Sequence, residues 1–411
     1  MRPTRPAPLR RLRDLVVRER AALLQGLGAL GLSSVGDLAA GLTLGSITGT
    51  LDRLPGLLVL VPAAIGMRGN VFGALGSRLG TLMHTGEFSR GRRVDTPVGQ
   101  NVAAALLLSL TISVVLAVLA KVVIVMADVH HAISVADLIV VSTLGGAISS
   151  VGVLAVTLGV SYMSASHGWD LDNVAAPIVT AAGDMVTLPS LFLATFLVSI
   201  RWVTPCIAVL LVIAGTVAAV VALRSALPLL RRIVVESIPI LVLAGTIDVI
   251  AGVTIEKRLE AFVAFPALLV LVPSFLEDSG ALGSILAARL STRLHLGTLE
   301  PRFDQVRRIA DDVILTYLFA ISVFVLLGIS ADLVSGIFGL ASPGVLKVIE
   351  VAVLAGFLTT TCAVIVACGA AVATFRLGLD PDNHGVPIVT SSLDLLGAAS
   401  LIIVLIALRL A

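Results

Sequence analysis

The strongest constraint on the fold is a duplication, because the chain contains nearly the same pattern twice. The run PGLLVLVP from Pro55 to Pro62 returns 211 residues later as PALLVLVP from Pro266 to Pro273. Both copies are apolar and are bounded by proline. A repeat of this length, set within apolar segments, is typical of membrane proteins that are assembled from two similar units.

Acidic residues repeat together with the apolar pattern. Asp37 in the run DLAAG returns as Asp248 in the run DVIAG, again 211 residues later. The motif DN-x3-PIVT-x3-D ends at Asp184 in the first copy and at Asp394 in the second, 210 residues later. Acids at matching depths in two copies of a membrane unit indicate a transporter or channel with a shared pathway.

The composition excludes a soluble protein with an ordinary surface. Apolar residues make up 57% of the chain, charged residues 13%, and the mean hydropathy is +1.08. Soluble domains carry roughly 25% charged residues, so this chain lacks the polar surface that contact with water requires. The net charge of +2 is uninformative, and no nucleic-acid partner is expected. The three cysteines have no ligand spacing and are interpreted as small core residues.

Segments long enough to cross a bilayer can be counted from the apolar runs. A spanning helix needs about 20 mostly apolar residues. Eleven segments qualify, which predicts an all-α integral membrane protein with about eleven transmembrane helices. The predicted spans are 22–50, 56–83, 101–127, 136–163, 174–200, 203–223, 234–255, 262–294, 311–334, 344–372 and 385–409.

Charge in the loops orients these helices. Arginines are concentrated in the first 20 residues and near residues 90–93, 231–232 and 302–308. With eleven spans these segments all fall on one side, which the positive-inside rule predicts to be the cytoplasm. We therefore expect a multi-pass protein of the cell membrane, with a cytoplasmic N-terminus and an external C-terminus.

The odd number of spans predicts how the two copies are joined. Five spans end on the side opposite to where they begin, so a directly fused second copy would be inverted. One linking helix lets two five-helix repeats insert in parallel, and a single chain then supplies the whole pore as a pseudo-dimer. The predicted divisions are a basic cytoplasmic tail (1–21), a first repeat (22–200), a linking helix and loop (201–233) and a second repeat (234–411).

Asp184 and Asp394 each lie about ten residues into the fifth helix of their repeat. Ten residues rise about 15 Å, half the hydrocarbon core, so both carboxyl groups are expected near the bilayer midplane. A charge at that depth costs about 2.5–3.5 kcal/mol and needs a wet cavity or a partner. We expect the two carboxylates to face each other across the axis that relates the repeats, with a cation or proton between them. The alternative is a structural acid that is satisfied by the hydroxyl of Thr180 or Thr390.

Further polar residues lie inside the first and second helices of the repeats. Asp37 and Asp248, in the middle of the first helices, are either ion sites or structural acids bound to a neighbouring helix. In the second helix, Pro62 followed by glycines permits a broken helix whose free carbonyl groups line a cavity. The amide of Asn70 and the backbone carbonyls near Gly69 are oxygen ligands of the kind that hard cations prefer.

The second helices of the two repeats are not equivalent. The second copy has Ala281 in place of the asparagine and carries two acids, Glu277 and Asp278, that the first copy lacks. These acids are interpreted as a binding or entry site for ions, with a charge at the mouth or an intrahelical partner as the alternatives. In the first copy, the small-xxx-small spacing of Gly69 and Gly73 predicts close packing against another helix.

Acidic loops precede both fifth helices and read DLDN at 170–173 and DPDN at 380–383. Asp and Asn cap helices by accepting the free N–H groups of the first turn. The same side chains would also gather cations at a cytoplasmic mouth, and we expect both roles.

The two motifs together resemble the MgtE family, and more closely its two-repeat relatives of the solute-carrier 41 type. The resemblance rests on P-x3-G-x2-GN in the second helix, ending at Asn70, and on the twice-repeated fifth-helix motif. It implies a membrane carrier or channel for Mg²⁺, with Asp184 and Asp394 as central pore ligands and Gly69-Asn70 beside them. The cytoplasmic regulatory domains of bacterial members have no counterpart here, so gating by such domains is not expected. Ala281 departs from the family pattern in the second repeat.

These observations predict a transporter or channel for divalent cations, with Mg²⁺ as the transported ion, and not an enzyme. The predicted pathway is free of cysteine and histidine, which argues against Zn²⁺ and Cu⁺. The predicted metal-binding residues are Asp37, Gly69, Asn70, Asp184, Asp248, Glu277, Asp278 and Asp394. Na⁺ as a coupling ion, Mn²⁺ or Co²⁺ as cargo, an organic substrate and a membrane-embedded metal-dependent enzyme remain as alternatives.

Overall fold

The computed structural model describes residues 17, 20–88, 93–129, 131–167, 171–300, 306–379 and 384–410. Within those ranges the ordered elements are all α-helices, and eleven of them have 21 residues or more. In chain order the helices are α1 (Arg20–Ser46), α2 (Thr48–Arg53), α3 (Leu60–His84), α4 (Pro97–Met126), α5 (Val135–His167), α6 (Leu171–Thr195), α7 (Val203–Leu223), α8 (Pro228–Glu256), α9 (Leu259–Ala264), α10 (Pro266–His295), α11 (Val306–Ile337), α12 (Val345–Leu377) and α13 (Val386–Ala407).

The all-α membrane architecture predicted from composition is confirmed. Nine of the described helices are long and apolar enough to cross a membrane, and α1 and α3 are not among them. On α7 a row of large apolar side chains is more than half exposed, as contact with lipid tails requires: Val209, Leu210, Ile213 and Val217. The count of eleven spans, their orientation and the divisions at residues 21, 200 and 233 stay predictions.

The two copies of the sequence pattern make the same contact twice, in a crossed arrangement. The first helix of the first copy, α1, packs on the second helix of the other copy, α10, while α8 packs on α3. Gly41 of α1 lies against the backbone carbonyl of Val270, and Gly252 of α8 lies against that of Val59. Val59 and Val270 are 211 residues apart, as are Gly41 and Gly252. The repeated DxxAG run therefore binds the repeated PxLLVLVP run of the opposite copy.

The breaks near the prolines are placed differently from the prediction. Span 262–294 is divided, because α9 ends at Ala264 and α10 starts at Pro266. Phe265 between them has φ −131° and ψ 79°, since a residue before proline is driven out of the α region. Span 22–50 is likewise divided into α1 and α2, and Gly56 has φ +92° in the turn before α3.

The expectation of a helix broken after Pro62 is wrong, because α3 runs unbroken from Leu60 to His84. Pro62 lies in the first turn of the helix, where its missing N–H would have no partner in any case. Pro273 is inside α10, which also continues to His295. The carbonyl groups after these prolines thus stay within the helices and are not free to line a cavity.

The crossed contacts lead to a stability prediction. A methyl group at Gly252 or Gly41 would collide with the opposing backbone, which cannot move aside as a side-chain tip can. We expect Gly252→Ala and Gly41→Ala each to destabilise the protein by about 1–3 kcal/mol, measured as a lower unfolding temperature in detergent. Gly28→Ala is the control on α1, because no described atom lies within 4 Å of a methyl group there. An equal loss in all three variants would contradict the packing argument.

Candidate ion site at the end of a cavity

A cavity of about 570 Å³ lies among α1, α3, α4, α6, α8, α10 and α13. Gly66, Glu277 and Asp394 form its buried end, and Asn70 lies along its wall. Arg78 and Glu236 line the other end, where Glu236 is half exposed. Twelve residues of α3 separate Gly66 from Arg78, a rise of about 18 Å. The cavity is therefore deep and ends at carboxylates.

Asp394 of α13 and Asp248 of α8 form the first of two acid pairs. Their carboxyl groups are close enough to interact directly, and both are buried. The absent side chain of Gly66 makes room for them, because a Cβ atom there would lie 2.8 Å from Asp248 Oδ2 and 3.9 Å from Asp394 Oδ2. Asp394 lines the cavity, and Asp248 lies behind it.

Asp37 of α1 and Asp184 of α6 form the equivalent pair in the first repeat. Their carboxyl groups also interact directly, and the side chains are only 0% and 2% exposed. Both oxygens of Asp37 and Oδ2 of Asp184 find no hydrogen-bond partner among the described residues. Neither residue is among the described residues that line the cavity. This second pair is thus enclosed, whereas Asp394 can be reached.

The expected face-to-face pairing of Asp184 with Asp394 is not what the structure shows. Each of these aspartates lies beside the aspartate from the first helix of its own repeat, and only a longer-range electrostatic interaction connects Asp184 with Asp394. Of the two hydroxyls considered as alternative partners, that of Thr390 donates to the carbonyls of Val386 and Pro387 instead.

Glu277 of α10 makes the arrangement unequal. Counting along the repeat, it occupies the position that Gly66 occupies in the first copy, 211 residues earlier. Its carboxylate lies within electrostatic range of all four aspartates and lines the cavity. The site therefore contains five carboxyl groups, and only one copy supplies the fifth.

The neighbouring acid, Asp278, lies outside the cavity. It is fully buried and accepts hydrogen bonds from the Ser34 hydroxyl of α1 at 3.0 and 3.3 Å. Successive residues of a helix point about 100° apart, and here Glu277 faces the cavity whereas Asp278 faces a neighbouring helix. Of the two acids interpreted as a binding site, Glu277 lies in the cavity and Asp278 lies between helices.

Gly69 and Asn70 both line the cavity, as expected for the second helix. The predicted close packing of Gly69 and Gly73 is wrong, because no described atom lies within 4 Å of a methyl group at either position. Close helix approach occurs instead at Gly36, where a Cβ atom would lie 2.5 Å from the Ala181 carbonyl oxygen. The acidic loops at 170–173 and 380–383 lie outside the residues and side chains that the structure describes.

A histidine does line the cavity, so the expectation of a histidine-free pathway is wrong. His384 lies just before α13. Its Nδ1 atom is buried without a hydrogen-bond partner among the described residues. Within the same residues, no three His, Cys, Asp or Glu side chains converge to form a preassembled metal centre. The arrangement suits an ion that keeps part of its water shell better than one held by a closed set of ligands.

Sequence analysis missed the role of Arg68, which is 1% exposed in the interior of the first repeat. Its guanidinium donates to the hydroxyls of Ser149 and Ser113 at 3.1 and 3.4 Å. In the second repeat Ser279 stands at the equivalent position, and the aromatic rings of Phe275 and Phe324 pack together there, 5.1 Å apart. Aligning the two copies would have revealed that arginine in one copy stands opposite serine in the other, but not that the guanidinium of Arg68 is buried.

Comparison with known proteins gives the same family in both halves of the chain. Residues 61–194 and 272–404 match MgtE, described as a divalent cation transporter. Solute carrier family 41 member 3 of Rattus norvegicus is 24% identical over 90% of this chain and 84% of its own length. Member 2 of the same carrier family from Xenopus laevis is 27% identical over 67% of this chain and 50% of its own length. No solved structure gives a significant match.

The two matched segments contain most of the second and fifth helices of each copy, with Asp184 and Asp394 inside them. Together they cover more than half of the chain. The chain belongs to the MgtE family of divalent cation transporters.

Proposed function

We propose that this protein transports Mg²⁺ and that the cation binds at the carboxylates of Asp394 and Glu277. The observation that supports this most directly is the buried end of the cavity, where both carboxylates are accessible from the lumen. Asp248 lies behind Asp394, interacts with it directly and adds negative charge next to the proposed ion position. In this proposal Asp184 and Asp37 bind the ion further along its path, after it leaves the open cavity.

The chemistry of the cavity supports a hard divalent ion. Its polar lining near the acids consists of oxygen donors, including the Asn70 amide and the hydroxyls of Thr180 and Thr390. Mg²⁺ prefers such ligands, is usually bound by one or two carboxylates, and gives up its water reluctantly. A single histidine, His384, does not make a site for Zn²⁺, which takes several nitrogen or sulfur ligands.

The size of the cavity supports a hydrated ion. A water molecule takes about 30 Å³ in the liquid, so six first-shell waters need roughly 180 Å³. The cavity of about 570 Å³ accommodates Mg²⁺ with its water shell. Asn70, Gly69 and the hydroxyl groups would then contact the ion through water, while the carboxylates replace only some of that water.

One prediction of this proposal concerns Asp184 and Asp394, the aspartates of the two fifth helices. We expect Asp394→Asn and Asp184→Asn each to reduce Mg²⁺ flux into proteoliposomes at least about tenfold, since a loss of 1.4 kcal/mol in ion binding is a factor of ten. An indicator inside the vesicles reports the flux. Repeating the assay with and without a Na⁺ gradient distinguishes a Na⁺-coupled carrier from a channel.

The matched control is Glu350→Gln, which removes one negative charge from an exposed pair with Lys347 far outside the cavity lining. Flux in this variant should equal that of the wild type. If the aspartate variants are folded and transport Mg²⁺ normally, the proposed ligands are wrong. If the wild type carries Mn²⁺ or Co²⁺ but no Mg²⁺, the ion assignment is wrong and the divalent class remains.

A second prediction concerns the space beside Asp248. We expect Gly66→Ala to weaken Mg²⁺ binding and flux severalfold, because its methyl group would lie 2.8 Å from Asp248 Oδ2 and displace the carboxylate. Gly73→Ala, two turns away on the same wall, has free space for its methyl group and serves as the control. Equal fluxes in the two variants would show that the position of the Asp248 carboxylate does not matter.

A further inference from the structure

An arginine near the end of the second helix has different partners in the two repeats. Arg78 of α3 and Arg289 of α10 are 211 residues apart and occupy equivalent positions. In the second repeat, Arg289 Nε lies 3.4 Å from Asp312 Oδ1, and Arg293 contacts the other oxygen of the same carboxylate. Arg289 is not among the described residues that line the cavity. Its guanidinium thus contacts a carboxylate directly and lies away from the cavity.

The first repeat differs at the position of the acid that pairs with Arg289. The position equivalent to Asp312 is Asn101, which is 2% exposed on α4. Its amide nitrogen donates to the Pro97 carbonyl at 2.9 Å, and its side-chain oxygen has no partner among the described residues. A neutral amide therefore stands where the other copy has a carboxylate.

Arg78 instead lies along the cavity. It makes no ion pair within 4.0 Å with any residue that the structure describes, and it lines the end of the cavity opposite to Asp394. Among the described residues the acid within electrostatic range is Glu236, whose carboxylate is already bound by Arg232 at 2.9 Å. Two arginines thus share this glutamate, and the guanidinium of Arg78 has no direct carboxylate contact of its own among the described residues.

A fixed positive charge at the exposed end of the cavity repels cations in proportion to their charge. A divalent cation is therefore opposed twice as strongly as a monovalent one. Because Arg78 is about 18 Å along α3 from the buried carboxylates, it raises the energy of the bound ion without contacting it. The effect is electrostatic and is reduced by salt.

We propose that Arg78 sets the affinity of the cavity for divalent cations by acting as a fixed positive charge. Within the part of the chain that the structure describes, this charge has no paired carboxylate, because the first repeat has Asn101 where the second repeat has Asp312. The inference rests on the proposed function, since it takes Asp394 and Glu277 as the ligands. Arg78 is a residue that limits ion occupancy and is not itself a ligand. Without it the five carboxyl groups would hold Mg²⁺ more tightly and release it more slowly.

The test measures Mg²⁺ binding to the purified full-length protein in detergent by titration calorimetry with magnesium chloride. We expect Arg78→Gln to lower the Kd about twofold to fivefold, the range that a single charge at 18 Å gives for effective dielectric constants between 80 and 40. Asn101→Asp should have a similar effect, because it restores the partner that Arg289 has and keeps the guanidinium. The difference from the wild type should shrink in 0.5 M choline chloride.

Arg289→Gln is the matched control, since it removes the same charge from the equivalent position outside the cavity, and its Kd should equal that of the wild type.

Having two independent variants keeps the test decisive if one of them fails to fold. Unchanged affinity in Arg78→Gln or Asn101→Asp, or an equal change in Arg289→Gln, would overturn the inference. A wild type that binds no Mg²⁺ would refute the proposed function as well. Binding that Asp394→Asn abolishes but Arg78→Gln leaves unchanged would refute the role of Arg78 alone.

Discussion

Four aspartates lie in two facing pairs inside the helix bundle, and like charges at such short range repel strongly where water is excluded. Glu277 adds a fifth carboxyl group within range of both pairs. The oxygens of Asp37 have no hydrogen-bond donors among the described residues. The cation proposed above, or a proton, would relieve this repulsion.

The two repeats share a backbone plan but differ in charge. The first repeat has Gly66 and the buried guanidinium of Arg68, whereas the second has Glu277 and a pair of aromatic rings. The extra acid thus lies on α10, the second helix of the second repeat, and the buried guanidinium lies on α3, the second helix of the first repeat. A symmetric homodimer cannot achieve this, because any substitution would appear twice. Fusing the two units in one chain allows equivalent positions of the two repeats to carry different side chains, as Gly66 and Glu277 do.

The general architecture could be predicted from the sequence, because it depends on length and hydropathy. The repeated motifs also identified the acids that the structure brings together, since an acid in an apolar run needs a partner. Which acids form pairs could not be predicted. The depth of Asp184 follows from its distance to the helix start, but the direction of its side chain depends on helix rotation and tilt, and these are set by packing. The importance of Gly66 was invisible for a similar reason, because it depends on Asp248, which is 182 residues away in the chain.

The crossed glycine contacts also determine which parts can move together. Gly41 holds α1 against α10, and Gly252 holds α8 against α3, in both cases backbone against backbone. Contacts this close resist sliding and separation, so each of these helix pairs behaves as one stiff unit. The units combine helices from different sequence repeats. Any motion that keeps these contacts therefore moves α1 together with α10 and α3 together with α8, so Asp37 of the first pair of helices and Asp248 of the second are carried by different units.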